Sequence, residues 1–84
     1  MANIEMTTAQ AEPANAEDCF VLGMNYSSGA GVAVDLVQAH KWFNIAATRG
    51  SAEAVRLRRE IAAEMSPVEI AAAQRAARDW VTHH

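Results

Sequence analysis

The chain has 84 residues, a net charge of −3 and 51% hydrophobic residues. That length holds one modest core, the charge gives no general attraction to nucleic acid or anionic lipid, and no stretch approaches the ~20 apolar residues of a membrane span. Cys19 is the one cysteine, which excludes an internal disulfide.

The first residues, MANIEMTTAQAEPANAED, lack the basic and apolar regions of a secretory signal, so the expected location is cytoplasmic. Residues 1–13 show little periodicity and end at Pro13. They are predicted to be a disordered or weakly ordered arm, with Ile4 and Met6 as weak anchors. Residues 14–84 are read as one helical domain.

A first helix is predicted from an Asn15 cap to about Ser27, with Glu17 and Asp18 in its first turn, where the helix dipole favours acids. Cys19, Leu22, Gly23 and Tyr26 recur at i, i+3, i+4 and i+7 and share one face. Gly23 costs about 1 kcal/mol of helix propensity against alanine; the expected compensation is an aromatic ring seated on its bare Cα. Gly29 and Gly31 end this helix. The glycine-rich loop is read as turn geometry, because a phosphate loop needs a preceding strand and usually a lysine after it.

Asp35 caps a second helix over residues 36–49, and Gln38 completes a capping-box pattern with it. Leu36, Ala39, Trp42, Phe43, Ala46 and Ala47 form its apolar stripe, and Gly50 stands at its C′ position. Tyr26 and Trp42 are expected to fill the gap between the two helices. A third helix over residues 52–65 starts at Ser51 and lines up Ala54, Leu57, Ile61 and Met65. Ser66, Pro67 and Glu69 then give a cap, a first-turn proline and an N3 glutamate for a fourth helix. Its inward side is read as Ile70, Ala73, Ala77, Trp80 and Val81, with Arg75–Asp79 as a surface pair.

Across residues 22–54 the spacing is L-G-x-x-Y, then G-x-G-V, then D-x-x-x-A-x-x-W-x-x-x-A-A-x-x-G-x-x-x-A. Leu22, Gly23, Tyr26, Gly29, Gly31, Val32, Asp35, Ala39, Trp42, Ala46, Ala47, Gly50 and Ala54 carry it, and the pattern resembles a Sel-one-like repeat, a relative of the tetratricopeptide repeat. The resemblance implies an all-α protein of antiparallel helical hairpins in a right-handed superhelix, about four helices long. Residues 14–50 would be the repeat hairpin. Residues 51–84 depart from the pattern, since Arg58-Arg59 replace the next Leu-Gly, and are read as a divergent capping hairpin. Such repeats bury their apolar faces by stacking, so the alternative to a cap is self-association through the open end.

The resemblance also implies an adaptor or scaffold that binds another protein and has no catalytic activity. Its first helix would line the ligand-binding surface, which makes Phe20 and Met24 candidate contacts. Arg49, Arg56, Arg58 and Arg59 are the densest charge cluster, with Glu53, Glu60 and Glu64 interleaved. The choice is between a solvated salt-bridged face and a docking patch for an acidic partner surface, with Arg56 and Arg59 as the named candidates. The acids and the lack of interleaved aromatics argue against nucleic acid. An enzyme or small-ligand reading rests on Cys19 and His40, which lie on adjacent helices. Against it, a small buried thiol and a surface or partly packed histidine are the simpler assignments, and Asn44 stands where a second metal ligand would be. No cofactor is implied.

Overall fold

The computed structural model describes residues 15–83; the expected N-terminal arm lies outside them. Within that span the fold is all-α, with four helices and no strand: α1 Ala16–Ser28, α2 Leu36–Thr48, α3 Ala52–Ala62 and α4 Pro67–His83.

Local chemistry sets nearly every boundary. Asn15 Oδ1 accepts from the Asp18 N–H at 2.8 Å and starts α1. Gly29, at φ 80°, ends it, and the Gly29 and Ala30 N–H groups both donate to the Asn25 carbonyl. Asp35 caps α2 by accepting from the Gln38 N–H at 3.1 Å. The other half of the expected capping box is absent: the Asp35 N–H donates to the Tyr26 carbonyl at 3.0 Å. That bond ties the end of the loop back to α1, so the Gln38 side chain has no donor to meet.

At the end of α2, the Ser51 N–H donates to Ala46 O and the Gly50 N–H to Ala47 O, both at 3.0 Å. This is a Schellman closure, with Gly50 at φ 106°. Ser51 immediately caps α3 through the Ala54 N–H. α3 stops at Ala62, short of the expected Met65. The Glu64 and Met65 N–H groups donate three residues back, to Ile61 and Ala62, which tightens the last turn. Pro67 disfavours helical backbone at Ser66, so the chain has to leave the helix here. Ser66 and Glu69 then form the complete reciprocal box that starts α4.

α2 is the central element. It comes into close backbone contact with α1, α3 and α4, whereas α3 and α4 do not approach each other as closely. Six of its residues are buried: Ala39, His40, Trp42, Phe43, Ile45 and Ala46. Small residues explain the three close approaches, with Gly23 on α1, Ala54 on α3, and Ala73 and Ala77 on α4 all buried. Phe43 and Ile45 are the largest fully buried side chains, each stabilising the fold by about 1.5–3 kcal/mol.

The ring on Gly23 belongs to Phe43. A Cβ at position 23 would lie 2.5 Å from both Phe43 Cδ1 and Cε1. Trp42, expected in that gap, faces the other way and meets Trp80 of α4 edge-on, with centroids 5.2 Å apart and planes at 73°. Neighbouring residues on a helix point about 100° apart, so one turns toward α1 and the other toward α4. The same geometry leaves Val81 42% exposed while Trp80 packs inward. Asp79 takes His83 as its neighbour, at 3.5 Å, in place of Arg75.

Candidate interaction site

Large side chains stand where α1 faces α3. Phe20, Met24 and Leu57 are the apolar lining of a groove between these helices, completed by Ala16, Glu17, Ser51, Glu53 and Arg56. Its volume is about 590 Å³. Ala16, Phe20 and Met24 recur every four residues on α1, a stripe about 12 Å long at 1.5 Å per residue, with Glu17 beside it.

The floor is anchored in the core. Phe20 packs on Phe43 with centroids 5.7 Å apart, and Phe43 packs on Gly23. Met24 is 41% exposed and has no such anchoring ring contact. Phe20 therefore serves core and groove together, while Met24 belongs to the surface.

The arginines of the charge cluster part company. Arg56 stands at the groove, held by Glu53 and by Glu60, the latter at 3.0 Å. Arg59 is exposed and does not line the groove. Arg58 donates to Asn44 Oδ1 across to α2. Arg49 lies over the Trp80 ring, 5.1 Å from its centroid, and donates to Cys19 Sγ at 3.8 Å. Of the four sequence candidates, the fold brings Phe20, Met24 and Arg56 together and leaves Arg59 apart.

Sequence reading missed Leu57, Glu53 and Glu17 as groove residues. Leu57 was assigned to the core stripe of α3, and it is half-buried with one side on the core. Glu17 and Glu53 each sit in a first helical turn, where an acid already has a reason to be.

Cys19 and His40 are both buried, and no hydrogen bond joins them. Cys19 is fully buried on α1, and burial pushes its thiol up, with the Arg49 hydrogen bond and charge opposing and Asp18 adding to the rise. His40 is 3% exposed, not the surface or partly packed residue expected, because α2 is covered on three sides. Its Nδ1 has no hydrogen-bond partner. Burial, aided by the Arg58 charge, lowers its pKa, with a backbone interaction opposing. Neither side chain lines the α1–α3 groove.

A second hollow, of about 540 Å³, lies between α2 and α4 and is lined by Asn44, Thr48, Gln74, Arg78 and Thr82 among others. Among the described residues no group of three or more His, Cys, Asp or Glu is placed to hold a metal, and no helix is long and apolar enough to cross a membrane. No family model, curated protein or solved structure matches the chain.

Proposed function

We propose that this chain is a non-catalytic protein-interaction module of the Sel-one-like kind, an adaptor or scaffold that receives a partner in the α1–α3 groove. The observation carrying the reading is the groove itself, where exposed Met24 and half-buried Phe20 and Leu57 leave apolar surface uncovered between two helices. Concave, mostly apolar clefts with a few polar groups are the usual form of a binding site. The tetratricopeptide-like superhelix belongs to the same proposal, supported by the thirteen signature residues and by the seating of a ring on Gly23. So does residence in the cytoplasm, supported by a lone unpaired thiol. A non-catalytic role is supported by the burial of Cys19 and His40.

The test is affinity capture by wild type and by Met24→Lys, followed by cross-linking to locate the captured chain. Met24 is the right position because its side chain has no anchoring ring contact in the core. A partner that cross-links beside Leu57 or Glu53 and is lost in Met24→Lys supports the reading. Capture that is equal in both proteins overturns it. A second reading, self-association, is favoured by Val68 and Val81, which are 75% and 42% exposed on α4. Light scattering across a concentration series decides it.

A further inference from the structure

The groove's polar rim specifies the charge of what it receives, an inference that rests on the groove being a binding surface. Two carboxylates, Glu53 and Glu60, share the single guanidinium of Arg56. Their side chains are more than half exposed, at 57% and 58%. Glu17, on the opposite wall, is exposed and belongs to none of the ion pairs among the described residues. The lining thus carries two acids, Glu17 and Glu53, against one base, Arg56, which Glu53 and the neighbouring Glu60 already engage. Arginine content had pointed to an acidic partner; the arrangement of the side chains reverses the sign.

We propose that the groove accepts an amphipathic protein segment whose apolar side chains meet Phe20, Met24 and Leu57 and whose lysines or arginines face Glu17 and Glu53. Charge complementarity of this sort sets orientation and rejects partners of the wrong sign. Apolar residues spaced three or four apart on a helical segment match a stripe that repeats every four residues on α1. Nucleic acid and acidic peptides meet like charge on both walls. The chain's own residues 1–14 include Glu5 and Glu12 and no lysine or arginine, so they offer the rim no complement.

The experiment uses the full chain and two synthetic helical peptides with one pattern of leucines, their remaining positions lysine in one and glutamate in the other. Binding is read by peptide fluorescence anisotropy, and the site by amide chemical-shift changes. The expected result is binding of the lysine peptide alone, with shifts at residues 16–24 and 53–57. Glu17→Gln/Glu53→Gln is expected to weaken binding by about tenfold, the effect of two exposed ion pairs. Raising the salt concentration is expected to weaken binding in the same direction.

If both peptides bind the groove equally, or the glutamate peptide binds better, the charge assignment is overturned and the groove survives. If neither peptide shifts groove residues, the binding surface itself is lost. A molar mass that doubles with concentration, together with groove shifts in the protein alone, replaces the foreign segment with a second copy. Circular dichroism of the double variant guards the comparison, since both substituted residues are exposed.

Discussion

Gly23→Ala separates the packing account from helix propensity, because the two predict opposite signs. Alanine in mid-helix gains about 1 kcal/mol over glycine. Against that, the new methyl carbon would lie 2.5 Å from Phe43 Cδ1 and Cε1 and 2.9 Å from Cγ, where carbon pairs are at rest at about 3.5–4.0 Å. The ring is fully buried and backed by Phe20 at 5.7 Å, so it has little room to retreat. Overpacking of this kind costs about 1–3 kcal/mol or more, and a three-atom overlap belongs at the upper end. The net expectation is a loss of about 1–2 kcal/mol, or roughly 4–16 °C in Tm for a domain of this size. Urea denaturation of wild type, Gly23→Ala, Phe43→Leu and the double variant measures it. Phe43→Leu removes the obstructing ring, so the double variant should be more stable than the sum of the single effects predicts. Gly23→Leu should unfold much of the domain. A Gly23→Ala protein at least as stable as wild type, with additive double-variant energies, would refute the ring-on-glycine packing.

The remaining expectations concern single side chains. His40 is held neutral in the folded state, its pKa lowered by burial and by Arg58, while the unfolded chain protonates it near the ordinary value of about 6.5. The unfolded state therefore binds more protons as pH falls. Its stability contribution should be full above that value and be lost on acidification through the lowered pKa, and a flat profile between pH 8 and 5.5 that matches His40→Leu would contradict this. Ser66→Ala removes the acceptor for the Glu69 N–H and should cost about 1 kcal/mol, read as a lower urea midpoint with unchanged slope. Trp80→Ala removes the edge contact with Trp42 and the surface under Arg49. It should cost about 2–3 kcal/mol, less than a fully buried tryptophan, and flatten the near-ultraviolet circular dichroism.

The helix starts were legible because capping is decided within four residues: Asn15, Asp35, Ser51 and Ser66 all act as caps. Gly29 and Gly50 were legible for the same reason. What escaped depends on contacts distant in sequence. Whether Trp42 or Phe43 covers Gly23 turns on which side of α2 faces α1, and both sides of that helix are apolar. His40 reads as a surface or partly packed residue until α2 is seen to be covered from three directions. The arginines at 56, 58 and 59 are neighbours in sequence with different surroundings: Arg56 holds Glu53 and Glu60, Arg58 reaches Asn44 on α2 and Arg59 is exposed outside the groove lining. Phe20 and Met24 were visible as an i,i+4 pair beside the core face. Their opposite wall, Leu57 and Glu53, was not, because nothing local tells a half-buried core leucine from the edge of a groove.

The central position of α2 also bears on how quickly the chain reaches this structure. α1 and α3 are its immediate neighbours in sequence, and α4 alone makes its close approach to α2 from further along the chain. Little loop-closure entropy stands in the way of such contacts, so a folding time in the microsecond-to-millisecond range is expected. Among the contacts of α2, those with α4, where Trp80 meets Trp42 and Ala77 joins the core, bridge the widest gap in sequence and should form last. Ala77→Gly would then accelerate unfolding while leaving the refolding rate nearly unchanged, and a stopped-flow chevron in which the refolding limb moves instead would place α4 in the nucleus.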